Sequence, residues 1–463
     1  GQDAPETSSP PPGHLLLTLD TDTIVAIATP PGNGGVGIIR VSGPMAFTIG
    51  QAITGQAALT PRYAIYTAFA DQDGSPLDSG IALYFPGPHS FTGEDVLELQ
   101  GHGGRLVLGL LLRRCVALGA REARPGEFSE RAYLNDKMDL VQAEAIADLI
   151  NAQTETAARQ AQASLQGVFS DQINALAAAL TSLRVYVEAA IDFPEEEIDF
   201  LSEGKVAAQL NALIKQATTL RTQAHQGSIV QQGATVVLAG KPNAGKSSLL
   251  NALAGNPIAI VTDQPGTTRD VVREAVNIDG VPLHLTDTAG LRETHDLIEQ
   301  EGVRRARHAL TLADVSLHLI DDSEPDLPNP LESRGPVITL LNKIDISGRS
   351  PGTVDASHFT DPVIAISTKT GAGLDVLKHT LLEVLGVRAG SDSLFSARAR
   401  HIQALDEALA VLVSAQAQFL ASGAGELLAE DLRRCHDVLG SVTGKMTSDG
   451  LLGEIFGSFC IGK

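Results

Sequence analysis

Between residues 138 and 193 no proline interrupts the chain, and Leu165, Phe169, Ile173, Leu176, Leu180, Leu183 and Val187 recur at three- and four-residue intervals. That period predicts one long helix with a single buried face. Val141, Ala145 and Leu149 repeat the spacing just upstream. Much later, Ile402, Leu405, Leu409 and Leu412, then Leu428, Leu432, Cys435 and Leu439, resume it. Between these blocks the pattern changes. Short apolar runs at residues 235–239, 281–285, 337–341 and 363–366 alternate with helical stretches, as in a parallel α/β sheet with ligand loops at its strand C-terminal ends. Upstream, residues 23–28, 37–41, 63–69, 79–85 and 96–100 read as strands between Gly- and Pro-rich turns,. The expected division is a leader at 1–20, an α+β domain at 21–137, helical parts at 138–232 and 387–463, and an inserted α/β domain at 233–386. The two helical parts form one discontinuous bundle, since an inserted domain leaves and re-enters its host at neighbouring points.

The inserted domain carries the chemistry. Gly240-Lys-Pro-Asn-Ala-Gly-Lys-Ser247 follows an apolar run and opens a helical pattern at Ser248. In such a loop, backbone N–H groups around Ala244 and Gly245 close on phosphate oxygens, Lys246 reaches the β- and γ-phosphates and the Ser247 hydroxyl ligates Mg²⁺. In Gly266-Thr-Thr-Arg-Asp270, the Thr268 hydroxyl can complete that Mg²⁺ shell while a γ-phosphate is present,. Asp287-Thr-Ala-Gly290 places Asp287 near the metal and the Gly290 N–H near the γ-phosphate, with Thr288 and Ala289 between them,. Asn342-Lys343-Ile-Asp345 supplies a carboxylate, Asp345, that accepts guanine N1–H and the exocyclic amine, which adenine cannot offer there,. Ser367-Thr368-Lys369 reads as the last base-contacting loop. Each segment alone fits an ordinary turn. Their joint occurrence in this order specifies a Ras-like P-loop GTPase.

Hydrolysis needs more. The residue after Gly290 is the apolar Leu291, where a Ras-type enzyme has a water-orienting Gln,. Arg269 and Arg292 lie near the switches but read equally as surface ion-pair partners. A bound monovalent cation is the other solution, with Asn243, Thr262, Thr267 and the backbone between them as oxygen ligands. Asp296, Glu299 and Glu301 are open alternatives for a water-holding acid.

Composition bounds the rest. At 463 residues, 43% hydrophobic, the chain can fill two or three domains,. A formal net charge of −21 argues against a broad basic face for nucleic acid,. Three scattered cysteines, Cys115, Cys435 and Cys460, suit a reducing cytoplasm better than a disulfide framework,. No continuous apolar run approaches the ~20 residues of a membrane span. Residues 1–13 read as a disordered leader rather than a signal peptide,. His102, in Gly101-His-Gly-Gly104, is either catalytic or a hydrogen-bonded turn residue. Cys460 is either a reactive thiol or tail packing.

Further motifs complete a resemblance. With Asp22-Thr-Ile-Val-Ala26, Thr29-Pro-Pro-Gly32, Gly34-Gly-Val-Gly37, Ser90-Phe-Thr-Gly-Glu-Asp95, Arg124-Pro-Gly-Glu-Phe-Ser129 and the terminal Cys460-Ile-Gly-Lys463, the chain resembles the bacterial MnmE (TrmE) family of tRNA modification GTPases over residues 21–463. Asn33 and Gly450 depart from the family, which often has Arg and an acid there. The resemblance implies an N-terminal tetrahydrofolate-binding and dimerisation domain, a helical domain and a G domain. It also implies a homodimer and an FAD-containing partner, MnmG (GidA). Together these install a carboxymethylaminomethyl-type group on the tRNA wobble uridine, using a one-carbon unit from 5-formyl- or methylene-tetrahydrofolate. K⁺ would be held by Asn243, Thr262, Gln264 through its carbonyl, and Thr267, in a nucleotide loop that includes Asp263, Pro265 and Gly266. Glu299 would orient the water. The folate contacts would be Arg40, Glu98, Lys137 and Lys463, with Cys460 catalytic. A regulatory GTPase switch in ribosome assembly is the competing class, and would call for a basic RNA-binding appendage.

Overall fold

The computed structural model describes residues 22–192, 204–254, 273–287, 309–324, 331, 333, 335–355, 359, 361–387, 395–446 and 448–462. It divides into two compact units, residues 1–144 with 443–463, and 145–442.

In the first unit, β1 (Ile24–Ile27), β2 (Gly34–Ser42), β3 (Ile65–Ala70), β4 (Pro76–Phe85), β5 (Val96–Gly103) and β6 (Arg121–Glu122) form one sheet in the order β3-β4-β5-β2-β1-β6. All pairings are antiparallel except β1 with β6. Period-2 alternation sends Ile39, Val41, Leu97, Leu99 and Ala82 into a core,. Helices α1 (Ala46–Thr54) and α2 (Arg105–Ala117) complete that core with Ile49, Ile53, Leu108 and Leu111. Helix α3 (Glu127–Leu134) starts from Gly126 at φ 68°, in the left-handed region. Sequence periodicity misses the two-residue β6, which is too short to show alternation.

The expected long helix over residues 165–187 is broken. Helices α4 (Leu140–Asn151), α5 (Glu155–Leu165) and α6 (Val168–Asp192) replace one uninterrupted pattern. Gly167 adopts φ 93° between α5 and α6, a conformation that ends a helix and costs glycine little. Leu165 therefore closes α5, while Phe169, Ile173, Leu176, Leu180, Leu183 and Val187 form the buried stripe of α6 as expected.

In the second unit, α7 (Lys205–Gln232) leads into β7 (Ala234–Gly240), α8 (Lys246–Ala254), β8 (Arg273–Ile278), β9 (Val281–Asp287), β10 (Val315–Asp321), β11 (Val337–Asn342), α9 (Ile344–Ser347), β12 (Gly352–Thr353), β13 (Val363–Ala365) and α10 (Leu374–Val384). The sheet runs β12-β13-β11-β10-β7-β9-β8, parallel except at its two edge strands. Central strands such as β11 are buried at every residue, which explains their continuous apolar runs. Helices α11 (Ala399–Ser422) and α12 (Gly425–Thr443) return to the helical layer, and α13 (Asp449–Gly457) belongs to the first unit. Helix α11 packs along α7, where Arg221 pairs with Asp406 and Gln416 bonds Asn211. By length and composition α11 could cross a membrane, with a window hydropathy of 1.2 that is 39% buried. No uninterrupted apolar run in it approaches a membrane span, since Asp406, Glu407 and several Gln and Ser residues punctuate it.

Candidate functional site

Strand β7 delivers the chain to the phosphate loop at Gly240, whose φ is 152° and where a Cβ would meet Leu319 O at 2.4 Å. Gly245, at φ 103°, would place a Cβ 2.2 Å from Asn342 Nδ2. Neither position admits a side chain, so the backbone is free to close on a ligand. Asn243 takes a left-handed φ of 62° and its side chain is exposed. Lys246 is buried, with Nζ donating to Gly240 O (2.9 Å) and Lys241 O (3.0 Å). Ser247 and Ser248 sit exposed on the first turn of α8, among backbone N–H groups without helical partners,.

A second loop system locks onto this one. Asn342 Nδ2 donates to Ala244 O at 2.8 Å, and Thr368 N donates to Asn342 Oδ1 at 3.1 Å. Ser367 Oγ donates to Asp345 Oδ1 at 2.7 Å, fixing one carboxylate oxygen. Lys343 is left-handed and its Nζ lies 2.5 Å from Asp321 Oδ2. Lys369 is exposed beside them in sequence. The structure thus assembles Asn243 to Ser248 with Asn342, Lys343, Asp345, Ser367 and Thr368. Asp287 ends β9, but its side chain lies outside the described residues, as do Thr262 to Thr268, Thr288 to Gly290 and Glu299. Behind the loop, His318 is buried and its Nδ1 has no hydrogen-bond partner among the described residues. Burial pushes its pKa down, which keeps the ring neutral at neutral pH,.

In the first unit, register places Arg40 of β2 directly opposite Glu98 of β5. Arg40 Nε and Nη2 donate to Glu98 Oε1 at 3.0 and 2.9 Å, and Nη1 donates to Gly462 O at 3.5 Å. Phe91 and Phe128 flank the guanidinium, 5.4 and 5.9 Å from ring centre to Cζ. The C-terminal tail seats beside this pair. Gly462 lies so close to β1 that a Cβ would meet Ile27 O at 2.5 Å, and Gly126 N donates to Cys460 O at 3.4 Å. Cys460 is exposed, whereas burial pushes Cys115 and Cys435 up to about 12. Lys137 is exposed and donates to Pro88 O at 2.8 Å; it lines an open cleft of about 430 Å³ with Tyr133, Gln142 and Lys445. Lys463 lies outside the described residues.

Sequence reasoning missed a charge network beside this site. Arg131, 5% exposed, reaches Glu94 at 3.1 Å, Asp22 at 2.6 Å and Glu127 at 3.2 Å. Arg121 joins Glu127 at 2.6 Å and Asp22 at 2.5 Å, and Ser42 Oγ donates to Glu94 at 2.7 Å. Burial pushes the Glu127 and Asp22 carboxyls up, but hydrogen bonds and charges outweigh it and hold both below the usual range, from Arg121 and Arg124 at Glu127 and from Arg131 and Arg121 at Asp22. The signal lay in the charged positions of the Ser90–Asp95 and Arg124–Ser129 motifs. His102 is hydrogen-bonded, with Nδ1 at 2.7 Å from Asp78 Oδ1 and its backbone N–H on the same carboxylate, but it lies within β5 rather than in a turn.

The family description "GTP-binding protein TrmE N-terminus" matches residues 23–137, and "MnmE helical domain" matches residues 140–460. The chain is 54% identical to the tRNA modification GTPase MnmE of Marinobacter nauticus, covering 96% of this chain and 99% of that one. It is 55% identical to the protein of the same name from Yersinia pseudotuberculosis, with the same coverage. The chain belongs to the MnmE family of tRNA modification GTPases. The residues matched by the helical description include those of the β7–β13 sheet, which lies between α7 and α11. A solved structure of Era with MgGDPNP and nucleotides of 16S ribosomal RNA is 31% identical over 33% of this chain and 56% of that chain, with a TM-score of 0.24.

Proposed function

We propose that this MnmE-family chain hydrolyses GTP to drive modification of the tRNA wobble uridine, working in the cytoplasm as a homodimer with the FAD-containing MnmG (GidA). The observation that carries this reading is the pairing, in one chain, of a guanine-reading carboxylate set by Ser367 with an Arg40–Glu98 pair capped by the Cys460-Ile-Gly tail. Glu98 Oε2 accepts only a long bond from Gln100 Nε2, at 3.4 Å, and has lone-pair capacity for a pterin N–H edge, and Arg40 and Lys137 suit the carboxylates of a folate tail,. Such a folate supplies a one-carbon unit, and Cys460, exposed in the same tail whose Gly462 carbonyl Arg40 holds, offers a thiol. Lys463 would add a further cation there.

The phosphate loop suits Mg²⁺ and K⁺ in donor chemistry. The exposed Ser247 hydroxyl would hold Mg²⁺ with Thr268. The exposed Asn243 amide oxygen would hold K⁺ with Thr262, Gln264 and Thr267. A cation there supplies positive charge to the transferring phosphoryl group, the role otherwise filled by an arginine. Glu299 would orient the attacking water. Asp345 selects guanine, and Asn342 keeps the base loop and phosphate loop in register. The deciding experiment measures wobble-uridine modification in cells lacking the protein, complemented with wild type or Cys460→Ser. Restoration by wild type and failure by Cys460→Ser are expected; full modification in the deletion strain would overturn the reading.

A further inference from the structure

Lys343 sits at a pivot. Its φ of 68° and ψ of 34° are left-handed, a region that non-glycine side chains seldom adopt without an outside constraint,. On one side of it Asn342 is fixed by Ala244 and Thr368, and on the other Asp345 is fixed by Ser367. Were Lys343 to relax to the right-handed region, these two side chains would swing apart and one set of bonds would be lost. Its side chain is only partly exposed and ends on Asp321, 2.5 Å away.

Asp321 is built for this contact. It is the last residue of β10, paired in parallel register with Asn342, and the next backbone N–H, of Asp322, donates to Asn342 O at 2.9 Å. Its other oxygen, Oδ1, accepts from Ser323 N at 3.0 Å and from Ser323 Oγ. The remaining acids of the turn have other cations. Asp322 takes Arg349 at 2.9 Å and Glu324 takes Lys241 at 2.9 Å. Neither can take over the contact with Lys343 without giving up its own.

We propose that Asp321 is a positioning residue for guanine recognition: by holding Lys343 in its left-handed turn it keeps Asn342 and Asp345 aimed at one ligand. The inference rests on the reading of Asp345 as the guanine acceptor. The test uses the full chain and fluorescent GDP and ADP. Asp321→Asn should weaken GDP binding about tenfold, the equivalent of one charge-assisted contact. The turnover of GTP at saturation should stay within about twofold, because uniform binding rather than transition-state binding is removed. Asp321→Glu should recover most of the affinity. In a Lys343→Gly background, where the left-handed turn no longer needs a tether, Asp321→Asn should have no further effect. Unchanged GDP affinity in Asp321→Asn, or an equal loss in the Lys343→Gly background, overturns the inference while leaving the site intact. A wild-type protein that binds ADP as well as GDP overturns the guanine reading itself.

Discussion

Gly462 has room for no side chain: its φ of 93° is left-handed and a Cβ would lie 2.5 Å from Ile27 O. Gly462→Val must therefore lift the tail from β1, remove the carbonyl that Arg40 holds and disturb the neighbouring Cys460, whose carbonyl accepts from Gly126 N. Calorimetry with 5-formyl-tetrahydrofolate should show at least a tenfold loss of affinity, about 1.4 kcal/mol, with GTP turnover unchanged. Undiminished folate binding would separate the tail from that site. The thiols make a second residue-scale test. Cys115 and Cys435 are buried and pushed up to about 12, so at pH 7.5 iodoacetamide should label Cys460 alone,. Mass spectrometry of the native protein checks this. Such residues were legible in the sequence because a ligand dictates their type and spacing. The pairings of Asp78 and Asp22 were not, since their partners His102 and Arg131 stand 24 and 109 positions away and only the fold brings them together.

Helix α3 carries the acid sensitivity of the first unit. Glu127 accepts from Arg121, from Arg131 and from the backbone N–H of Arg124, so its folded pKa lies below the unfolded value of about 4.3,. A depressed carboxylate contributes stability that is present above the unfolded pKa and lost as pH falls through the folded one. Amide exchange over residues 121–134 should therefore stay slow from pH 7 to about 5, after correction for intrinsic rates, and accelerate below about 4. Glu127→Gln removes one partner from each of two arginines that keep Asp22 and, for Arg131, Glu94, and should cost about 1.5–3 kcal/mol at pH 7,, with the gap to wild type closing in acid. A gap that stays constant to pH 3 would remove Glu127 as the cause. At this scale the sequence located α6 and the central strands through their period. It misplaced the α5–α6 boundary, because one glycine can end a helix without disturbing the apolar spacing on either side,.

For the molecule as a whole the open question is how a G domain with Leu291 in place of a water-orienting Gln reaches useful rates. We propose that a cation held at Asn243 answers it, with pairing of two G domains completing its site. The two ideas make joint demands. GTP turnover should be several-fold to about a hundredfold faster in KCl than in NaCl at equal ionic strength, within the range an arginine finger commands. It should also rise with protein concentration if contact between G domains of two chains limits the rate. Asn243→Ala should abolish the salt preference and leave GDP affinity within about threefold, since Lys246 and the backbone N–H groups still hold the phosphates,. Equal rates in the two salts would exclude the cation. A K⁺ preference with no concentration dependence would instead keep the cation and exclude encounter of two chains as the step that limits the rate.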